Sequence, residues 1–390
     1  MSTPLPKPSQ SKPLSPPIQL TGVWRMESIE QADQLLADPT SGFVYRRDSH
    51  PNAVDLENSM RYLHRCDEAI VTAQGMSALA AVCLAILQPG DLVLLGQPLY
   101  GKTTLLIRNE LSRWGIKSED VDATNLSDWT RAIAKRPRLI ILESICNPRL
   151  AVPDIAAICA LAHNPSNSPE RRCEVLVDNT FATPVLCRPL ELGADMVMES
   201  LSKFVCGHGD AMLGFLGGKK EFWNRIRSVV SAFGLASSPL DCWLTQRGLQ
   251  SLEVRMERAA RSALELARYF EKHPAIEQLD YPGLEAHSTH ETAKRQLLGA
   301  FGNMLTIRLR DGTNKAPQLI AALQDTIPFC PSLGDTHTTL SHPASTSHRA
   351  FTPAELSKFG IDQGTIRFSI GLEPYQDLIA RLEEALRFIR

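Results

Sequence analysis

The feature that most constrains the fold is a regular alternation of short apolar runs with helix-length segments, which begins near residue 60. The helix-length segments include Ser77–Leu87, Thr103–Trp114 and Ile155–His163. The apolar runs are Ala69–Ala73, Leu92–Leu95, Leu139–Leu142, Val175–Val177, Met196–Met198 and Leu213–Leu216. Buried strands that alternate with helices predict an α/β fold whose central sheet is mostly parallel and covered on both faces. Ligands of such sheets bind at the carboxyl ends of the strands, so the residues after each run are the candidate site.

A different pattern follows Trp243 and predicts a smaller C-terminal α+β domain. A long helix is expected over Leu244–His273, and strands over Met304–Leu309 and Thr365–Ile370, before a final helix over Tyr375–Ile389. Because 390 residues exceed one ordinary core, the chain should divide into several units. We expect a Pro- and Ser-rich disordered tail (1–20), an arm (21–58) with a short helix over Met26–Leu36, an α/β domain (59–242) and the C-terminal domain (243–390).

Composition and charge exclude several classes of protein. The 41 basic and 43 acidic residues nearly balance, which gives no reason to expect nucleic acid or a membrane surface as partner. The chain has no apolar run of about 18 residues and no signal-peptide core at its N-terminus, so we expect a cytoplasmic protein. Its nine cysteines are odd in number and contain no C-x-x-C, which indicates neither a disulfide framework nor a metal site.

The strongest candidate for chemistry is Lys203, in the segment Glu199–Lys203 just past the run Met196–Met198. A lysine that forms a Schiff base with a carbonyl cofactor needs a depressed pKa, which burial or a nearby positive charge provides. Ser200 and Ser202 could donate to a phosphate, and the glycines that follow allow close backbone approach. Taken alone, the segment fits a surface lysine in a turn better than a cofactor site.

A second candidate, Asp178, directly ends the apolar run Val175–Val177. Its carboxylate could pair with a pyridinium nitrogen and keep the ring protonated, although an N-cap role fits an aspartate after a strand about as well. Gly75 and Met76 lie where a strand turns into a helix, and such a turn exposes N–H groups to a phosphate. Tyr100 follows the next run and could stack on a flat ring or fill the core.

The ordered set of these residues, each at a strand end, is more informative than any member alone. It resembles the pyridoxal 5′-phosphate (PLP) enzymes of cysteine and methionine metabolism, which include cystathionine γ-synthase, the cystathionine β- and γ-lyases and methionine γ-lyase. The similar stretches cover nearly the whole chain beyond the tail. They include 45–47, 75–76, 99–101, 146–148, 177–184, 188–195, 199–203, 239–244, 332–334, 342–345 and 366–373.

The resemblance implies fold type I, the aspartate-aminotransferase-like fold, and a homotetramer in which dimers share active sites. Lys203 would carry PLP, Asp178 would pair with its ring nitrogen and Tyr100 would stack on the ring and act in catalysis. The remaining roles are binding the phosphate (Gly75, Met76, Ser200, Ser202, and Tyr45 and Arg47 of the neighbouring subunit's arm), contacting the ring (Asn147, Thr180) and binding the substrate carboxylate (Arg367, Ser332).

The expected function is β- or γ-elimination, or γ-replacement, at a carbon–sulfur or carbon–oxygen bond of a small amino acid. The leading expectation is a cystathionine γ-synthase or cystathionine lyase, with methionine γ-lyase or O-acylhomoserine sulfhydrylase as alternatives. An aminotransferase, a decarboxylase and a non-catalytic module of the same fold are rivals, and the last would lose Lys203, Asp178 or Arg367. Departures from the family pattern at Asp48–Asn52, Lys102, Pro331 and 337–339 leave the substrate's distal end undetermined.

Overall fold

The computed structural model describes residues 13–38, 41–164 and 172–389. Most of the predicted disordered tail, residues 1–12, lies outside the described residues. The end of that tail is extended and attached to the body, because Trp243 Nε1 donates to Pro16 O at 2.9 Å and Asn52 Nδ2 to Pro17 O at 2.8 Å. The arm then forms helix α1 (Ile29–Ala37), close to the predicted helix, and leads into helix α2 (Pro51–His64).

The central sheet has seven strands, and the six predicted apolar runs each coincide with one of them. The strands are β1 (Glu68–Thr72), β2 (Leu92–Gln97), β3 (Lys117–Asp122), β4 (Leu139–Glu143), β5 (Glu174–Asp178), β6 (Met196–Ser200) and β7 (Gly214–Gly218). Their order is β1-β7-β6-β5-β4-β2-β3, and β7 runs antiparallel to both neighbours. The prediction of a mostly parallel sheet is therefore confirmed.

Helices cover both faces of this sheet. They are α3 (Gly75–Ile86), α4 (Gly101–Leu105), α5 (Leu126–Ile133), α6 (Ile155–Ala162), α7 (Thr183–Leu186) and α8 (Trp223–Ala232). Consecutive strand residues face opposite sides, and Val175 and Leu176 accordingly belong to two separate buried clusters. The predicted helix Thr103–Trp114 is irregular, since α4 continues as a π turn (Leu106–Glu110) and a 3₁₀ turn (Leu111–Trp114).

The smaller C-terminal unit is built on an antiparallel sheet of order β10-β11-β9-β8. The elements that follow residue 238 are, in chain order, α9 (Pro239–Leu249), α10 (Leu252–Phe270), β8 (Ile276–Asp280), α11 (His290–Gln296), β9 (Met304–Leu309), α12 (Gly312–Leu323), β10 (Thr339–Ser341), α13 (Pro353–Lys358), β11 (Thr365–Ser369) and α14 (Tyr375–Phe388). Further 3₁₀ turns cover Pro189–Leu192, Lys220–Phe222 and Pro343–Ser345. The single helix predicted over Leu244–His273 is wrong, because α9 ends and α10 begins on either side of Gln250 and Ser251.

Within the described ranges, none of the helices combines the length and the apolar character that crossing a bilayer requires.

Candidate active site

The candidate site lies at the carboxyl edge of the parallel strands. Strands β4, β5 and β6 end at Glu143, Asp178 and Ser200, and Lys203 follows three residues after the last of these. Parallel neighbours in register bring these strand ends together, since Glu143 pairs with Asp178 and Asp178 with Met198. The sheet topology alone therefore gathers side chains that are far apart in sequence.

The amine of Lys203 lies under a loop from the C-terminal domain. Its Nζ donates to Ser332 Oγ at 2.8 Å. Burial lowers the pKa of Lys203, and the positive charge of Arg367 acts in the same direction. An amine whose pKa is lowered in this way is more often in the neutral, nucleophilic form that reacts with a carbonyl.

The carboxyl group of Asp178 is buried and faces the same region. It accepts hydrogen bonds from the backbone N of Thr180 at 3.0 Å and from its Oγ at 2.5 Å. Burial raises the pKa of Asp178 to about 6 in spite of these bonds. A cation held against this carboxylate would offset the cost of burying its charge. Ser200 N donates to the same Thr180 oxygen at 2.8 Å, which ties the Asp178 loop to the Lys203 segment.

The start of helix α3 meets Ser200 at close range. A Cβ added to Gly75 would lie 3.0 Å from Ser200 Cβ, so the strand end and the helix start approach more closely than a side chain at position 75 would allow. The N-cap residue Gln74 makes no side-chain hydrogen bond to the helix, and the following residue, Met76, is partly buried. First-turn N–H groups without intrahelical partners form an anion site, here bordered by the Ser200 hydroxyl.

Ser202 contacts the segment that leads into strand β7, and its predicted role in phosphate binding stays a prediction. Its hydroxyl accepts a hydrogen bond from Leu213 N at 3.0 Å and donates to Leu213 O at 3.3 Å. Donation from Ser202 to a phosphate would have to replace the second of these contacts, so Ser200 is the better placed of the two serines.

Arg367 is a buried cation in the middle of strand β11. Its Nη1 donates to Asn147 Oδ1 at 2.5 Å, and its guanidinium lies 5.6 Å from the centre of the Phe181 ring. Its Nε has no hydrogen-bond partner among the described residues. Burial lowers the pKa of Arg367 to about 10, so the group stays charged at neutral pH. A buried guanidinium with donors to spare is suited to bind a carboxylate.

Glu143 is a site residue that the sequence analysis missed. Its two carboxyl oxygens accept hydrogen bonds from Tyr100 N at 2.7 Å and Asn147 N at 2.9 Å, and thereby fix two loops that border the site. Burial, and then the charge of Asp178, raise the pKa of Glu143 to about 8. The available signal was an acidic residue directly after an apolar strand, the same signal that identified Asp178.

Tyr45 and Arg47 lie on the arm, where the Arg47 guanidinium is 5.0 Å from the centre of the exposed Tyr45 ring. Their role at a neighbouring subunit's site stays a prediction.

A lysine amine, a carboxylate and a guanidinium, meeting where a parallel α/β sheet joins a smaller antiparallel domain, define the class of PLP-dependent enzymes of fold type I. The family described as Cys/Met metabolism PLP-dependent enzyme matches residues 4–387. The chain belongs to this family, and it is accordingly a PLP-dependent enzyme of sulfur amino-acid metabolism.

Individual relatives carry several activities in their names. The chain is 37% identical over 378 residues to an L-methionine gamma-lyase of Fusobacterium nucleatum subsp. polymorphum, covering 96% of this chain and 94% of the relative. It is 35% identical over 377 residues to a cystathionine beta-lyase of Bacillus subtilis, covering 96% and 92%. A crystal structure of cystathionine gamma synthase from Xanthomonas oryzae pv. oryzae, in complex with aminoacrylate and cysteine, superposes with a TM-score of 0.88 at 29% identity, covering 96% and 92%.

Proposed function

We propose that the chain cleaves the bond between the γ-carbon and sulfur of an L-amino acid, with PLP held covalently on Lys203. The observation that supports this proposal is that the Lys203 amine, the Asp178 carboxyl and the buried Arg367 guanidinium lie at one sheet edge. The likeness to an L-methionine gamma-lyase supports the choice of a γ-elimination. Cystathionine as the substrate is the second candidate, which the likenesses to a cystathionine beta-lyase and a cystathionine gamma synthase support.

The residues of the site fit the three polar regions of PLP. The start of helix α3 at Gly75 and Met76, with the Ser200 hydroxyl, suits a phosphate, and the amine of Lys203 suits an aldehyde. The Asp178 carboxyl, whose pKa burial raises, gains most from a positively charged partner such as a protonated pyridine nitrogen. Bound in this way, PLP supplies an electron sink for negative charge that develops at the substrate's α-carbon.

Arg367 would orient the substrate. Its guanidinium would bind the α-carboxylate in a bidentate arrangement, with Ser332 assisting. The contact between Arg367 Nη1 and Asn147 Oδ1 would be kept or exchanged as the carboxylate enters, while the free Nε supplies a second donor. Held at this end, the substrate presents its α-hydrogen to Lys203.

Proton transfer falls to Lys203 and Tyr100. The lowered pKa of Lys203 lets its amine take the proton from the α-carbon and return it. Burial raises the pKa of Tyr100, so its hydroxyl keeps a proton that it can donate to the departing sulfur. For γ-elimination a second proton must leave the β-carbon, and the Lys203 amine takes it once it has passed on the α-proton. The electron pair of that carbon–hydrogen bond forms a double bond between the β- and γ-carbons as the bond from the γ-carbon to sulfur breaks, and sulfur leaves as a thiol with the proton from Tyr100.

We further propose that the active assembly is a homotetramer made of two dimers, and that the two subunits of each dimer share their active sites. The exposed Tyr45 ring and the Arg47 guanidinium stacked on it would complete the phosphate site of a neighbouring subunit. Arg47→Ala should then weaken PLP binding, and inactive Lys203→Ala subunits mixed with Arg47→Ala subunits should recover part of the activity. Lack of any recovery in mixed oligomers would contradict site sharing.

Reduction with borohydride tests the attachment of PLP. The purified protein should become irreversibly labelled on the peptide that contains Lys203, and Lys203→Ala should abolish the label. Lys102→Ala is the matched control, because Lys102 is an exposed lysine one residue into helix α4 and has no proposed bond to PLP. Labelling of Lys203→Ala at the wild-type level would refute the assignment.

Product analysis tests the reaction. The enzyme is incubated with L-methionine, with L-cystathionine, and with an O-acylhomoserine plus cysteine. Thiol together with 2-oxobutyrate from methionine is the expected result, whereas pyruvate from cystathionine would indicate β-elimination. Formation of cystathionine from the third mixture, without 2-oxobutyrate from the first, would refute the proposed γ-elimination in favour of γ-replacement.

A further inference from the structure

A buried contact between a histidine and a glutamate lies next to the residue that follows Asp178. His64, the last residue of α2, places its Nε2 2.9 Å from Oε1 of Glu199 in strand β6. The side chains are 0% and 1% exposed, and the His64 ring stacks on Phe215 at 4.9 Å. Burying two ionisable groups costs free energy that apolar residues of similar size would avoid, so a pair of this kind is of interest for its effect on its neighbours.

The pair is connected to Asp178 through Asn179. Asn179 Nδ2 donates to Glu199 Oε1 at 3.1 Å and to Cys187 O at 2.9 Å, and Asn179 N donates to Met198 O at 2.8 Å. Glu199 therefore fixes the residue that directly follows Asp178. After burial, which dominates, the negative charge of Glu199 is one of the effects that raise the pKa of Asp178.

The charge of Glu199 has little other compensation. Glu199 Oε2 and His64 Nδ1 have no hydrogen-bond partner among the described residues. The angles between the facing atoms of His64 and Glu199 also depart from those of a well-formed hydrogen bond, so the contact acts through charge or a shared proton. The groups that surround Glu199 from other elements are Asn179 and the Asp178 carboxyl on the β5 side, and the thiol of Cys187. The imidazole of His64 is thus the basic group that faces this carboxylate.

We propose that His64 is a positioning residue for cofactor binding, which neutralises Glu199 and so keeps Asp178 ionised opposite the ring nitrogen of PLP. The inference rests on the role of Asp178 under the proposed function, and His64 itself does not touch the cofactor. Loss of the positive charge at position 64 would leave two carboxylates to share one proton in a dry region, and Asp178 would become protonated more easily.

The test measures the dissociation constant of PLP for the apo-protein between about pH 6 and pH 9, beside the thermal unfolding midpoint of the same apo-protein. Since burial raises the pKa of Asp178 to about 6 in the wild type, a further increase of about one unit in His64→Gln should weaken PLP binding about fivefold at pH 6 and about twofold at pH 7. The loss should shrink toward pH 9, where Asp178 ionises in the variant as well. Glu199→Gln removes the neighbouring negative charge and should bind PLP as wild type does.

The double variant His64→Glu/Glu199→His reverses the pair and keeps its net charge, so it should restore the wild-type pH profile even if the single variants fold poorly. A His64→Gln protein that binds PLP as tightly as wild type, or more weakly by the same factor at every pH, would overturn the inference, as would a folded double variant that binds weakly throughout. Asp178→Asn distinguishes a wrong assignment of Asp178 from a wrong inference about His64. Tight PLP binding by that variant would overturn the proposed role of Asp178, whereas weak binding by it beside an unaffected His64→Gln would overturn the inference alone.

Discussion

Gly334→Ala should lower both stability and activity, because the added side chain would collide with the backbone at Lys203 and Phe204. Gly334 has a φ of +88°, and a Cβ there would lie 2.6 Å from the carbonyl carbon of Lys203 and 2.6 Å from Phe204 N. The left-handed conformation costs an alanine about 1–2 kcal/mol. Because the opposing atoms are backbone, overpacking adds about 1–3 kcal/mol. Together these give a loss of about 2–5 kcal/mol in the free energy of unfolding.

The matched control is Gly90→Ala, since Gly90 has a φ of +95° and nothing within 4 Å of an added Cβ. This control should lose only the conformational cost of about 1–2 kcal/mol. Urea denaturation compares the two variants, and kcat/KM and PLP affinity are measured beside it. Gly334→Ala should displace the loop that contains Ser332 and Gly334, and so break the contact between Lys203 Nζ and Ser332 Oγ. The value of kcat/KM should then fall at least about tenfold, whereas that of Gly90→Ala should equal the wild-type value. Equal stability and equal activity of the two variants would refute the claim that this loop is seated on the Lys203 backbone.

Arg367→Lys should lower kcat/KM about 10- to 100-fold, mainly through KM, because a charged hydrogen bond contributes about 1.5–3 kcal/mol; an unchanged KM would contradict carboxylate binding there. In the native protein one thiol per chain, Cys330, should react quickly with a thiol reagent, since the other eight cysteines are buried; Cys330→Ser should remove that reaction. For apo-protein, burial raises the pKa of Asp178 to about 6, so its contribution to stability is complete below its unfolded-state pKa of about 4 and is lost as pH rises through about 6. Urea unfolding of wild type and Asp178→Asn should show this difference in slope, and parallel curves would contradict it.

The central sheet could be predicted because its buried strands are apolar on both faces. Strand β3 was missed for the complementary reason: it is an edge strand, its sequence Lys117–Asp122 is mostly charged, and only Val121 in it is buried. Edge strands exclude unwanted pairing partners with charged residues, which removes the apolar signal. Its pairing with β2 depends on tertiary context that no local pattern contains.

The break between α9 and α10 shows where helical periodicity misleads. Residues on both sides are good helix formers, so the pattern predicts continuity. The structure instead needs close approach at Gly248, where an added Cβ would lie 2.1 Å from Cys206 O. Just beyond the break, Arg255 donates to Phe204 O at 2.6 Å and to Val205 O at 3.0 Å. Residues on both sides of the break therefore contact the segment that directly follows Lys203, which lies about 50 residues before Arg255 in the sequence.

Some features of the candidate site could likewise be predicted from the sequence, and others could not. The location of Lys203, Asp178 and Tyr100 at one sheet edge could be predicted from the sequence, because each lies at or just after the end of a recognisable strand and the strand ends of a parallel sheet meet. Their roles stay predictions. The engagement of Ser202 by Leu213 could not be predicted, because it depends on how the loop after Lys203 returns into β7. Glu143 had the same local signal as Asp178, but its partners, Tyr100 N and Asn147 N, come from two other loops.

The position of Arg367 depends on contacts between the C-terminal sheet and the turn at Asn147 and Pro148. Arg367 is opposite Thr306 in the antiparallel pair of β11 and β9. Thr306 Oγ in turn donates to Pro148 O at 2.6 Å, one residue after the Asn147 whose Oδ1 accepts from Arg367. The turn at Asn147 and Pro148 thus contacts the C-terminal sheet through the Pro148 carbonyl and contacts the Arg367 guanidinium through the Asn147 side chain. A shift in β9–β11 register would carry Arg367 away from Lys203. Under the proposed function, correct pairing within the small sheet is therefore needed for substrate binding as well as for folding.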